Sequence, residues 1–156
     1  MSSKGFTKIE ILLVIILAVI VISVDIFVIL YLNSKARDIQ TLSEIDQIRS
    51  GLELFLQTNN YYPKITAPTE LNDSYAGTEK LCFSGFSKIT EKCDKNILSE
   101  IPNVYQNKGN IYTYQANNDY LNYKLEFTLL TNFKRQGLAK GKNCATNSQT
   151  TSQLCF

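Results

Sequence analysis

The chain contains no histidine and only four cysteines. Zinc and copper sites draw on those two side chains, so neither a metal nor another cofactor is expected. The missing histidine also removes the commonest general base, and no serine or cysteine stands in a recognisable nucleophile motif. No enzyme is expected, although chemistry by carboxylates alone stays formally open. Acidic residues are missing from everything after Glu126, which leaves no carboxylate ligands for calcium near the carboxyl end. The net charge of +2 is too mild to point to any class of partner.

Proline and glycine are missing from Phe6 to Ser50, so nothing in the backbone interrupts a helix there. Ile11 to Ile22 is continuously apolar, Ser23 and Asp25 interrupt, and Ile26 to Leu32 resumes. This gives roughly the 20 residues that an α-helix needs to cross a bilayer. No small-residue cleavage site follows Leu32, as it would in a secretory signal. The one small residue in a plausible processing position is Gly5, ahead of the apolar run. Lys4 precedes the run while Lys35 and Arg37 follow it, so charge alone does not orient it.

Lys4-Gly5-Phe6-Thr7, then Ile9-Glu10 and Ile-Leu-Leu-Val-Ile-Ile, resembles the leader of type IV pilins and type II secretion pseudopilins. The resemblance implies cleavage between Gly5 and Phe6 by a prepilin peptidase on the cytoplasmic side, followed by methylation of the new Phe6 amino group. It also implies that the apolar helix stays on the product and that the carboxyl-terminal domain lies outside. Three positions depart from the family pattern: Lys8 replaces an apolar residue, and Val19 and Phe27 stand where many members carry helix-breaking Gly and Pro. The helix is therefore expected to run unbroken.

Two carboxylates fall within or beside the apolar run, where an unpartnered charge is costly. Glu10 either snorkels into headgroups or, as the resemblance implies, pairs with the Phe6 amino group of a neighbouring subunit and sets register during assembly. Asp25 either approaches the outer headgroups or meets a cation of another copy, Lys8 being one candidate.

Beyond Leu32 the apolar positions thin to Ile39, Leu42, Ile45, Ile48, Leu52, Phe55 and Leu56, one stripe of an amphipathic helix. Asn59-Asn60 and Pro63 supply stop signals, so a helix from Phe6 to about Thr58 is predicted, roughly 80 Å long. Ser43 to Tyr62-Pro63 resembles the corresponding stretch of major, G-type pseudopilins. Further on, Ile65 to Gly77 reads as loop, Leu81-Cys82-Phe83 as a short strand, and Asn96 to Ile101 as a helical turn or two. The clearest sheet signal is a hairpin: Ile111 to Gln115, a turn at Asn117-Asn118-Asp119, and then Leu121, Tyr123, Leu125, Phe127 and Leu129 alternating with polar neighbours.

The expected fold is α+β: a long N-terminal helix packed on a small antiparallel β-sheet, as in pilin-like proteins. Its parts are a leader (1–5), a transmembrane and assembly segment (6–32), an amphipathic helical segment (33–58) and an extracytoplasmic domain (59–156). Cys82 with Cys93, and Cys144 with Cys155, are two equal spacings. In an exported domain these favour two local disulfides among the three pairings that four cysteines allow. A Cys144–Cys155 loop would resemble the carboxyl-terminal disulfide region of many type IV pilins.

Lys134, Arg135, Lys140 and Lys142 cluster among polar residues, either as a solvated loop or as a DNA-contacting tip. The function that these readings imply is that of a filament subunit in a pilus or secretion pseudopilus. Its partners would be a prepilin peptidase, copies of itself and other pilins, the inner-membrane assembly machinery and the membrane. It would be single-pass in the cytoplasmic membrane before assembly and part of an extracellular or periplasmic filament afterwards. The alternatives are a membrane-anchored extracytoplasmic binding domain that does not polymerise, or a minor DNA-uptake pilin.

Overall fold

The computed structural model describes residues 8–103 and 110–151. The chain forms two compact units, Met1–Ala36 and Arg37–Phe156. Helix α1, Lys8–Asn59, contributes to both and is 52 residues long. Within its apolar part, Ser23 Oγ donates to the carbonyl of Ile20 at 2.7 Å and Ser34 Oγ to that of Leu30 at 3.1 Å. Such back-bonding satisfies the hydroxyls without a partner outside the helix. The helix stops at its asparagines: Asn60 takes a left-handed conformation, with φ 62°, and its N–H bonds to the carbonyl of Leu56 at 2.7 Å. Asparagine tolerates that conformation better than most residues.

The second unit is α+β with a pilin-like layout, its helical part packed against antiparallel sheets. Strands β1 (Thr69–Glu70), β5 (Thr113–Ala116), β6 (Tyr123–Leu129), β7 (Gly141–Ala145) and β8 (Thr150–Thr151) form a five-stranded sheet in that order. Strands β2 (Lys80–Cys82), β3 (Gly85–Ser87) and β4 (Asn96–Leu98) form a smaller sheet with β2 central. The expected hairpin is β5 and β6, with Tyr114 opposite Leu125 and Thr113 opposite Glu126. Its loop, Asn117 to Asn122, is closed by side chains: Asn117 Oδ1 accepts the Asn122 N–H at 3.1 Å and Asp119 Oδ1 the Leu121 N–H at 2.9 Å. The alternation holds from Tyr123 through Leu125 and Phe127 to Leu129, all buried, whereas Leu121 is exposed in the loop.

The core brings Ile45, Ile48, Leu52 and Phe55 of α1 against Tyr112, Tyr114, Tyr123, Leu125 and Phe127. Aromatic rings dominate its centre. Tyr62 meets Tyr123 edge-on at 4.8 Å between centroids, and Phe86 meets Tyr114 at 5.2 Å, both within the range where aromatic pairs attract.

Three expectations give way. Asn96 to Ile101 is not a helical turn: Asn96–Leu98 is a strand whose Leu98 pairs with Leu81, because β2 has an open edge to fill. The loop from Ile65 to Gly77 contains β1, paired with β5. The polar stretch after Lys140 is not simply a solvated loop, since β7 lies between β6 and β8. It buries the small residues Cys144 and Ala145, with Asn143 between them and Lys142.

Candidate anchoring and assembly surfaces

In the first unit every large apolar side chain from Ile9 to Leu32 is solvent-facing, and even the least exposed, Val28, is 45 % exposed. An uncovered apolar surface of this extent is incompatible with water as its only neighbour. Among the described residues, α1 is the one helix long and apolar enough to cross a membrane. Glu10 and Asp25 are both exposed on it, about 22 Å apart along the axis at 1.5 Å per residue. Lys8 stands about 25 Å from Asp25 by the same rise, too far for an ion pair within one chain. Any pairing of these two residues is therefore between copies. Gly5 and Phe6 lie outside the described residues.

In the second unit the helical face turned to the sheets begins with polar groups. Asp38 is buried; its Oδ1 accepts the Leu130 N–H at 2.8 Å. Its Oδ2 accepts the Thr131 N–H at 2.7 Å and the Thr131 hydroxyl at 2.6 Å. Thr41 Oγ1 accepts from Asn110 Nδ2 at 2.8 Å, and Glu44 Oε2 accepts the Tyr112 hydroxyl at 2.7 Å. Burial, and then the Glu44 hydrogen bond, raise the Tyr112 pKa and keep that hydroxyl a donor. Tyr62 is raised in the same way, by burial and by its bond to Glu53 at 2.9 Å. Burial chiefly pushes Tyr114 up, with the neighbouring Tyr123 and Tyr62 adding to it. Tyr123 is pushed up to about 12, burial outweighing the lowering effect of nearby Arg49.

The polar contacts of Asp38, Thr41 and Glu44 were not anticipated, yet part of their signal is present in the chain. Positions 38, 41, 45, 48, 52 and 55 alternate steps of three and four, so the buried stripe extends onto Asp38 and Thr41. Ile39, read as part of the stripe, is 55 % exposed. It borders an open groove of about 710 Å³ with Leu42, Leu54, Ile97, Leu98 and Phe133.

Cys82 and Cys93 form a disulfide with Cα atoms 5.7 Å apart. Inside the loop that it closes, the buried Lys80 ammonium donates to the carbonyls of Ile89 and Glu91. The Glu91 carboxyl accepts from Ser87 Oγ at 2.6 Å and from the Lys88 N–H, which hold its pKa below the usual carboxylate value. Cys144 is disulfide-bonded as well; Cys155, its expected partner, lies outside the described residues.

The four clustered cations are all exposed. Lys134 and Arg135 stand on a 3-10 turn, Lys134–Gln136, pinched at its base by a bridge between Phe133 and Leu138. Lys140 follows, and Lys142 stands on β7 opposite Thr128. Asparagines hold this tip: Asn132 Oδ1 accepts the Lys140 N–H at 2.7 Å, and Asn143 Nδ2 donates to the carbonyls of Ala139 and Gly141, each at 2.8 Å.

Comparison with protein-family models, curated proteins and solved structures gives no match for this chain.

Proposed function

We propose that the chain is a structural subunit of a type IV pilus or type II secretion-like pseudopilus. In this reading a prepilin peptidase cuts between Gly5 and Phe6, the Phe6 amino group is methylated, and the subunit polymerises through the apolar part of α1. The observation that carries the reading is an apolar surface from Ile9 to Leu32 left exposed by the described residues, with Glu10 near its start. A helix that only anchored a domain could be just as apolar. It would have no need of a carboxylate at that edge, where charge is costly unless another group meets it.

The inner-membrane assembly machinery extracts such subunits from the cytoplasmic membrane. Head-to-tail contacts then repeat without closing, which gives a filament rather than a ring. Catalysis has no part in this function. The test is intact-mass analysis and amino-terminal sequencing of the chain co-expressed with a prepilin peptidase. The expected product begins at methylated Phe6; a chain that keeps Met1 or Ser2 beside an active peptidase returns the function to that of a non-polymerising anchored domain.

A further inference from the structure

Between β1 and β2 the second unit makes a turn whose feet are buried and whose crown is not. Leu71 and Thr78 are fully buried. The Leu71 N–H bonds to the Tyr112 carbonyl at 2.8 Å, the Asn72 N–H to the Thr78 carbonyl at 2.9 Å and the Thr78 N–H to the Asp73 carbonyl at 3.0 Å. Thr78 Oγ1 donates to the Glu70 carbonyl at 2.6 Å, and Asp73 Oδ1 accepts the Tyr75 N–H at 2.9 Å. Asn72 and Gly77, with φ 59° and 69°, take the left-handed conformations that let the chain reverse. Tyr75 stands at the crown and is 96 % exposed. A lone exposed apolar side chain is ordinary. A tyrosine held out on a turn tied in this way forgoes almost all the burial that an aromatic ring contributes, yet keeps the rigidity that suits such a ring to anchor a contact.

The turn and the open groove of the same unit carry opposite charge. Residues 69–79 include Glu70, Asp73 and Glu79 and no Lys or Arg. Lys80, which follows, is buried with its ammonium on the carbonyls of Ile89 and Glu91. The groove, of about 710 Å³, is lined by Ile39, Leu42 and Leu54 of α1, by Ile97 and Leu98 of β4 and by Phe133. Phe133 begins the tip, residues 133–142, on which Lys134, Arg135, Lys140 and Lys142 are exposed; no residue after Glu126 is acidic. The groove's own carboxylate, Asp46, stands 3.6 Å from Arg49. The volume lies in the range of sites that enclose whole small molecules, which leaves ample room for one tyrosine ring. Ser43, Gln47 and Ser50 along α1 offer partners to a phenolic hydroxyl.

From this match of shape and charge we propose that the groove is a docking site for a second copy of this chain, entered by Tyr75 of that copy. The ring lies against Leu42, Leu54, Leu98 and Phe133, and the acidic turn around it faces Lys134 and Arg135. The contact rests on the filament function proposed above and adds to it a contact between second units. No residue of the turn lines the groove, so the two surfaces are different patches of one unit and the contact is head-to-tail, the kind that repeats from copy to copy. One ring and a few surface charges bury far less than the roughly 1,200 Å² of a stable complex. The contact therefore forms where copies are already held together through α1, at an effective concentration on the order of millimolar, and not between free chains.

The test places the photocrosslinking residue p-benzoylphenylalanine at position 75 of the full chain. Filaments are assembled from a mixture of isotope-labelled and unlabelled copies, irradiated and read by peptide mass spectrometry. The expected product joins position 75 of one copy to residues 39–54 or 133–136 of a copy with the other label. Filaments whose position 75 joins nothing, another surface, another protein or only its own chain would overturn the docking and leave the filament reading intact. Failure of the unsubstituted chain, correctly cleaved, to form filaments under the same conditions would overturn both. Tyr75→Ala should lower the yield of sheared filaments roughly tenfold while Tyr75→Phe keeps it; near-ultraviolet circular dichroism of the buried tyrosines checks that the fold is unchanged. K134E/R135E should lower the yield as well, and adding S74K/A76K, at exposed positions beside Tyr75, should restore it. A yield that stays low in the combined variant, with the fold intact, would overturn the charge match and the docking with it.

Discussion

Two parts of one helix solve opposite problems. From Ile9 to Leu32 α1 is apolar on every side apart from Glu10, Ser23 and Asp25 and exposes every large apolar side chain; from Arg37 to Asn59 it is amphipathic and buries Ile45, Ile48, Leu52 and Phe55 almost completely. Helix propensity hardly distinguishes them, since from Phe6 onward neither Gly nor Pro occurs before Gly51. What differs is the partner. The second part finds it within its own chain, as a tyrosine-rich sheet, and can therefore afford buried polar contacts at Asp38, Thr41 and Glu44, whose donors that sheet and its loops supply. The first part meets no such sheet among the described residues, and its exposed apolar surface is left for lipid or for other copies.

Truncating matched apolar residues should break the comparison most visibly. Phe55→Ala removes a fully buried ring and should cost the second unit about 3–5 kcal/mol in chemical denaturation followed by near-ultraviolet circular dichroism. Leu17→Ala in the first unit should leave that transition unchanged. A Phe55→Ala protein of native stability would mean that the α1 stripe is not part of the core.

The next effect is polar. Asp38→Ala strips the Leu130 and Thr131 N–H groups and the Thr131 hydroxyl of their acceptor and should destabilise by about 3 kcal/mol. Amide exchange at Leu130 and Thr131 should quicken more than the global loss explains. By contrast Asp25→Asn, in the first unit, should leave the stability of the second unit unchanged while lowering filament yield if Asp25 meets a cation of another copy.

A third test uses pH. Tyr62, Tyr112, Tyr114 and Tyr123 have pKa values raised in the fold, Tyr123 to about 12 from an ordinary value of 10.0. For a raised pKa the protonated form is the one that the fold favours. Its contribution is complete below pH 10 and is lost as pH climbs towards and past 12. Denaturant midpoints should therefore hold constant on this account up to about pH 10 and fall steadily above it, together with the rise of tyrosinate absorbance. Tyrosinate forming with no loss of stability would show that these hydroxyls are not buried as described.

The smallest expected effect concerns the one glycine inside α1. A Cβ on Gly51 would lie 2.7 Å from Leu98 Cδ1, so Gly51→Ala sets a clash against the better helix propensity of alanine. A net cost of about 1 kcal/mol is expected, because the obstacle is the end of a movable side chain. Leu98→Ala should cancel that clash, which a double-mutant cycle would register.

The helix and the hairpin were legible because each carries a long periodic pattern: steps of three and four from Ile45 to Phe55, and alternation from Tyr123 to Leu129. The stop of the helix at Asn59-Asn60 was legible from turn chemistry. The small sheet was legible only in the strand at Cys82. β4 is three residues long, too short to show a period, and owes its conformation to the edge of β2. β7 was hidden because it buries Asn143, Cys144 and Ala145 instead of large apolar residues, its register being supplied by β6. Asp38 and Thr41 were missed for a related reason: a polar side chain on a helix is ordinarily read as solvated, and their acceptor roles depend on backbone and side-chain donors about 70 to 90 residues away in the chain. The lysine-rich tip was legible as a cluster, but the tie of the loop before it to Asp38 follows only from the fold.

The most direct test of the filament reading is electron cryomicroscopy of material sheared from cells that express this chain with a prepilin peptidase and assembly machinery. The account predicts filaments with this chain in them, the Ile9–Leu32 helices bundled along the axis and Glu10 of each subunit beside the Phe6 amino group of a neighbour. Glu10→Ala should abolish or sharply reduce them while cleavage after Gly5 continues. Correctly cleaved chains that stay in the membrane as single copies, with no filament incorporating them, would contradict it.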